Sequence, residues 1–230
     1  MASVETLSPS TKRIRFTGDD LATFESASPD DHVKLFFPLM DDDDAKRDYT
    51  PRSFSPEQKS LTIDFVLHDD GPATSWARNA VAGDELQIGG PRGSAVVADD
   101  FDWYLLVGDE TATPSIARRI EELRPDVPVR AILLCDDEGQ HYPLPARDRL
   151  IVDWVYRANG EQDDGALLIE AIGTRSLPEG EGYVWIAAEA EAARAARTYV
   201  VEALGHPKAW VKAAGYWIKG AEGQQTKIED

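Results

Sequence analysis

The chain has 230 residues, 42% of them hydrophobic and 29% charged, which suits one large globular domain or two small ones. Its 42 Asp and Glu outnumber 24 Lys and Arg, for a formal net charge of -18. That field opposes nucleic acid and anionic lipid, which both reward positive charge near phosphate. No segment reaches the apolar length of a membrane span, and the start, MASVETLSPSTKRIRF, lacks the apolar run of a secretory signal. Cys135 is the single cysteine, so intramolecular disulfides are excluded. The expectation is a reduced, soluble, cytoplasmic protein.

In chain order, Lys12 to Val97 holds short strand-like segments: RIRF, HVKLFFPL, LTIDFVLH and DELQIGG. Turns at Pro29, at the aspartates 41–44, at Asp69-Asp70-Gly71-Pro72 and at Gly89-Gly90-Pro91 separate them. This spacing predicts an antiparallel sandwich or small barrel. From Asp102 the pattern changes. WYLLVG reads as a fully buried strand, and PSIARRIEEL as a helix with Ile116, Ile120 and Leu123 on one face and Thr113 as its cap. VRAILLCDD and RLIVDWVYR read as strands, DGALLIEAIG as a helix and GYVWIAA as a strand. EAARAARTYVVEALG predicts a helix with Ala193, Ala196, Val200 and Ala203 inward, closed by Gly205 and Pro207. AWVKAAGYWI is a last strand. Strands alternating with helices imply a parallel, nucleotide-binding type of sheet. The predicted domains are 1–98 and 99–230.

Residues 47–52 read RDYTPR. On an extended segment Arg47 and Tyr49 share one face, because side chains alternate with period two. The ring can stack on a planar cofactor, while Arg47 forks onto a phosphate oxygen. The same six residues also describe an edge strand ended by proline. In HDDGPATSW a Gly-Pro turn opens a short helix, and exposed N–H groups at such a start cradle phosphate. His68 alone reads equally as a surface histidine at a strand end. GDETATPS follows the first parallel strand, where ligands sit in such sheets, although it is no Gly-x-Gly-x-x-Gly fingerprint. Asp109 and Glu110 repel phosphate, and Asp109 either lines a site or ties the turn together. Arg194 and Arg197, three apart on a helix, either meet dinucleotide phosphates or pair with Glu191 and Glu202 on a solvated face. The histidines 32, 68, 141 and 206 have no metal-site spacing.

Barrel first and parallel sheet second is the order of the ferredoxin reductase-like flavoenzymes. RDYTPR resembles the Arg-x-Tyr-Ser/Thr signature with which that superfamily holds its flavin. With Arg52 two positions on, it resembles the siderophore-interacting protein family of ferric-siderophore reductases. HDDGPATSWARNAVAGDELQIGGPRGS resembles that family's second flavin segment, and GDETATPSIARRIEEL its Gly-Asp-Glu-Thr turn. WIAAEAEAARAARTYV and AAGYWIKG resemble its late motifs, so the matches run in order over nearly the whole chain.

The resemblance implies a β + α/β protein, with an N-terminal antiparallel flavin-binding β-barrel followed by a Rossmann-like parallel-sheet nucleotide domain. FAD would contact Arg47, Tyr49, Thr50 and Arg52, then His68, Gly71, Pro72, Ala73, Thr74, Ser75 and Trp76. Tyr49 and Thr50 would tune the flavin as the catalytic pair, with no essential general acid or base. Asp109 and Thr111 would lie at the nicotinamide–flavin junction, and Glu189, Arg194, Arg197 and Trp217 would complete the cofactor contacts. Lys46 and Lys219 are the substrate-attracting candidates, ahead of Lys208 and Lys212. Ala188 stands where the family has glycine, which narrows the room for a nicotinamide pyrophosphate.

The implied activity passes electrons from NADH or NADPH through FAD to the Fe(III) of a siderophore, in a monomer without protein metal ligands. Acidic CDDEGQ after the second parallel strand disfavours a 2′-phosphate and so favours NADH. The negative field favours a neutral or cationic ferric siderophore. Alternatives are a flavin reductase with another acceptor or fed by reduced ferredoxin, a small-ligand or siderophore-binding protein, and an acidic interaction module.

Overall fold

The computed structural model describes residues 1–38, 45–68, 71–157, 163–221 and 226–228. The turns predicted at 41–44 and 69–70 lie outside them. The chain divides into two compact units, Met1–Val97 with Ala117–Arg119, and Ala98–Ile116 with Ile120–Asp230.

The first unit contains β1 (Ser3–Ser8), β2 (Thr11–Thr17), β3 (Val33–Phe37), β4 (Ala45–Tyr49), β5 (Ser53–Ser55), β6 (Ser60–Val66), α1 (Pro72–Asn79) and β7 (Gln87–Gly89). The strands form two antiparallel sheets, ordered β1-β2-β6-β5 and β4-β3-β7. Period-two alternation aims Ile14 and Phe16 of β2 and Val33, Leu35 and Phe37 of β3 into one core. Leu61, Ile63 and Phe65 of β6 join them, with Ala73, Ala77 and Ala80 at the helix. The barrel expectation thus takes the form of two sheets around a common core. β1 and β5 escaped the hydrophobic pattern because they are polar edge strands, supplying ladder bonds more than buried area.

The second unit contains β8 (Trp103–Gly108), α2 (Thr113–Glu122) apart from its Ala117–Arg119, β9 (Val129–Cys135), β10 (Leu150–Tyr156), α3 (Asp164–Gly173), β11 (Gly182–Glu189), α4 (Ala190–Thr198), β12 (Val211–Trp217) and β13 (Thr226–Lys227). Its sheet runs β10-β9-β8-β11-β12-β13. The first five strands are parallel and β13 is antiparallel. This doubly wound order places the switch point between β8 and β11, and ligands of such sheets bind beyond the strand ends there. β8, β9 and β11 are buried along their lengths apart from Arg130, as unbroken apolar runs require.

Leu168 and Ile172 of α3 and Ala193 and Ala196 of α4 cover one sheet face against Leu105, Val107, Ile132 and Ile186. Two helix details differ from expectation. Ala203 is exposed, not inward, because Tyr199–Ala203 forms a π-helical turn whose wider winding carries it off the face of Ala196 and Val200. Thr113 is the first helical residue and not the cap; its hydroxyl donates to the Asp109 carbonyl at 3.1 Å. No helix among the described residues is long and apolar enough to cross a membrane.

His206 is buried, with ring centroids of Trp103 and Trp210 at 5.4 and 6.0 Å and its Nε2 2.9 Å from the Gly182 carbonyl oxygen. Residue 182 must be glycine, since a Cβ there would lie 2.0 Å from the Trp103 ring. Burial lowers the His206 pKa, and the bond to Gly182 only partly opposes it. The unfolded state therefore takes up the proton first as pH falls. Its contribution to stability is complete above the unfolded value near 6.5 and declines as pH falls through it. Urea unfolding from pH 7.5 to 5.5 is expected to lose more stability in the unaltered protein than in His206→Asn.

Candidate functional site

β4 is an edge strand that ends at Tyr49, ahead of Pro51. Arg47 pairs with Leu35 and Tyr49 with Val33, both core residues, so Arg47 and Tyr49 share the inward row. The Tyr49 ring lies 4.6 Å from Phe65 by centroids, and Trp76 of α1 lies 5.7 Å from the same Phe65. Two segments far apart in sequence thereby converge on one aromatic cluster that also includes Phe37. Burial raises the Tyr49 pKa and the Arg47 charge opposes this, so the phenol stays neutral at ordinary pH. Arg47 Nη1 donates to the Lys46 carbonyl at 3.0 Å. Lys46 itself is exposed on the opposite row, its Nζ 5.6 Å above the Phe36 ring.

Thr50 is half-buried just beyond the end of that strand. Arg52 is buried. Its N–H donates to Thr62 O at 2.9 Å, and its Nε lies 4.0 Å from Asp64, which Arg13 holds through two bonds of 2.8 Å. Arg52 thus faces a buried carboxylate, a setting the sequence reading did not foresee.

α1 opens with Gly71 extended and Pro72 in the first turn; no described side chain caps it, and its first turn has no acidic residue. The uncapped N–H groups and the helix dipole favour an anion. A Cβ at Gly71 would meet nothing within 4 Å, so the approach is open. The Thr74 hydroxyl donates to the His68 carbonyl at 2.8 Å, fixing the entry into the helix. Ala73 and Thr74 are buried, His68 and Ser75 exposed, and Trp76 half-buried. An open helix start, a guanidinium and two aromatic rings in one unit form a donor set that fits a dinucleotide with a planar ring.

In the second unit the candidates gather at the switch point. Asp109 is fully buried and accepts from Thr111 N at 2.9 Å, Thr111 Oγ1 at 2.5 Å, Glu189 N at 2.8 Å and Trp217 Nε1 at 2.8 Å. One carboxylate thereby ties together the ends of β8, β11 and β12. Of the two roles open to Asp109, tying the turn is the one these bonds describe. Glu189 caps α4, accepting from Glu191 N and Ala192 N, and its other oxygen accepts from Lys219 N at 3.1 Å. The start of α4 is therefore satisfied by its own chain. Arg194 is exposed and paired with Glu191, while Arg197 is half-buried in the last turn. Ala188 is buried in the core beside Gly215.

Sequence reasoning missed Arg157, just beyond β10. It binds both oxygens of Glu110 at 2.9 and 3.0 Å, both of Asp164 at 3.0 and 3.1 Å, and Asp136 at 3.0 Å. No local pattern marks this cluster, which only the packing of β8, β9 and β10 assembles. Burial, with Asp109 adding repulsion, raises the Glu110 pKa to about 7 although Arg157 pulls it down.

The sequence model described as Siderophore-interacting protein matches residues 101–220, and that described as Siderophore-interacting FAD-binding domain matches 1–46 and 41–95. The chain belongs to the siderophore-interacting protein family. It is 33% identical to the NADPH-dependent ferric-chelate reductase of Escherichia coli, over 93% of this chain and 89% of that one. It is 32% identical to the mycobactin import ATP-binding/permease protein IrtA of Mycolicibacterium smegmatis, over 96% of this chain and 26% of that one. The crystal structure of a siderophore utilization protein from T. fusca superposes with a TM-score of 0.88 at 34% identity, covering 97% of this chain and 92% of that one. The fold is accordingly that of the ferredoxin reductase-like flavoenzymes, and the match to the FAD-binding domain falls within the first unit.

Proposed function

We propose that the protein is an FAD-dependent ferric-siderophore reductase that takes electrons from a reduced nicotinamide nucleotide and delivers them to siderophore-held Fe(III). The carrying observation is the convergence of Tyr49 and Trp76 on Phe65 beside the open start of α1. Flavin supplies the redox chemistry, accepting a hydride and giving up single electrons. The chain supplies position and field. Arg47 and the first N–H groups of α1 would hold the diphosphate, and Tyr49 would cover the ring with a neutral π surface. Thr50 would set the hydrogen bonding at the reactive edge of the ring. Asp109 holds Thr111 and Trp217 at the end of the parallel sheet, where the nicotinamide donor would approach. Reduction suffices to release the iron, because oxygen-rich hard ligands that suit Fe(III) hold Fe(II) poorly. Lys219 and Lys46 are the proposed attractors of substrate, and the reading carries a cytoplasmic monomer.

Reduced ferredoxin as donor is a second reading. The self-capped start of α4 and the pairing of Arg194 with Glu191 favour it, since both reduce what α4 offers to nicotinamide phosphates. The test is the visible spectrum of the purified protein, followed by anaerobic NADH or NADPH and then a ferric chelate. Flavin bands that bleach with one nucleotide and return with iron are expected. Bands that ignore both nucleotides but bleach with reduced ferredoxin would establish the second reading, and a protein that takes up no FAD would overturn both.

A further inference from the structure

Ala117–Arg119 of α2 belongs to the same compact unit as the RDYTPR segment. Arg118 is 3% exposed. Its Nη1 donates to the Pro51 carbonyl at 3.0 Å and to Ser26 Oγ at 2.8 Å, and its Nη2 donates to the Ser26 carbonyl at 2.9 Å. The guanidinium carbon lies 5.6 Å from the centroid of the Phe54 ring. Ser26 Oγ in turn donates to Asp31 at 2.8 Å. The same Asp31 oxygen accepts from Ser28 N at 3.1 Å and Ser94 Oγ at 2.6 Å. Ser26 and Asp31 are also buried.

These bonds form one relay, Ser94–Asp31–Ser26–Arg118–Pro51. Its ends lie in two segments that carry the family resemblance, GGPRGS and RDYTPR. Pro51 has no N–H of its own, and its carbonyl is held by Arg118 while the next N–H, of Arg52, donates to Thr62 O. The Pro51–Arg52 peptide, one residue beyond Thr50, is therefore gripped on both its carbonyl and its amide side. Lysine keeps the charge and three donors but gathers them on one nitrogen, without the planar fork that spreads these bonds over Nη1 and Nη2.

We infer that Arg118 is a positioning residue for the flavin, acting through Pro51 to hold Thr50 and Tyr49 in their working geometry. Asp31 and Ser26 orient its guanidinium. The inference rests on the proposed FAD reading, with Arg118 acting only through residues proposed to meet the flavin.

The test uses the full chain with Arg118→Met, Arg118→Lys and the milder Ser26→Ala. Three quantities are read: FAD affinity of the flavin-free protein, the visible absorption and circular dichroism of bound FAD, and its midpoint potential. Melting of the flavin-free protein is followed alongside. Arg118→Met is expected to bind FAD about ten-fold or more weakly, the scale set by loss of hydrogen bonds to a charged group. The bound flavin is expected to show an altered spectrum and a shifted potential. Arg118→Lys is expected to recover part of each change, and Ser26→Ala to move each in the same direction by less. A folded Arg118→Met with unaltered affinity, spectrum and potential overturns the inference, as does a lowered melting point with all three unchanged. Should Arg118→Met fail to fold, Ser26→Ala decides by the same three readings. An unaltered protein that takes up no FAD overturns the functional reading first, and this inference with it.

Discussion

Asp109→Ala is expected to lower the stability of the second unit by about 3–5 kcal/mol, the scale of leaving several buried donors unsatisfied at about 1–3 kcal/mol each. The substitution leaves the N–H groups of Thr111 and Glu189 and the indole N–H of Trp217 without their acceptor. Those donors lie at the ends of three strands, so the loss falls where the sheet has no further ladder to compensate. Asp109→Asn separates charge from shape. The amide oxygen serves one side, but its NH2 then confronts donors on the other, so only part of the stability returns. Urea unfolding followed by far-ultraviolet circular dichroism measures both variants. An Asp109→Ala protein within 1 kcal/mol of the unaltered one, by the same scale, would dismiss the hub.

Arg157→Met is expected to cost about 2–3 kcal/mol at pH 8, below the full buried-pair range because water reaches the cluster. Arg157 is 15% exposed in its side chain, and its partners Glu110, Asp164 and Asp136 are 27%, 20% and 67% exposed. Without it three carboxylates face one another. Glu110 already has its pKa raised from 4.5 to about 7, and loss of the cation raises it further. A carboxyl whose folded pKa exceeds its unfolded value contributes stability that is complete below the unfolded value and is lost as pH rises through the folded one. The deficit of Arg157→Met is thus expected to be larger at pH 8 than at pH 5.5. Urea midpoints at the two pH values measure it, and a deficit independent of pH would exclude the role given to Glu110. This titration runs against that of His206, so each is read as a difference from its own variant.

What was legible in the sequence follows from how locally each feature is encoded. WYLLVG, VRAILLC and GYVWIAA announced buried parallel strands because both of their faces are covered, which leaves no polar alternation. RDYTPR was read both as an edge strand and as a cofactor segment. The structure makes it an edge strand, and the two readings are compatible because the inward row of that edge carries Arg47 and Tyr49. Ala203 was misplaced because a helical period assumes uniform winding, and a π turn is not written in side-chain hydropathy.

Periodicity and turn residues determined the two-part architecture and the strand and helix order, since these depend on near neighbours in the chain, while the family rested on the resemblance of motifs such as RDYTPR and GDETATPS. Partners of charge were decided only by the tertiary structure. Arg52 facing Asp64, Arg157 gathering three carboxylates and Arg118 gripping Pro51 each join residues that chain proximity does not predict. An arginine in sequence is a cation with five donors. Whether those donors meet a phosphate, a carboxylate or a carbonyl depends on which groups folding brings within 3 Å, and on the burial that makes an unmet donor costly.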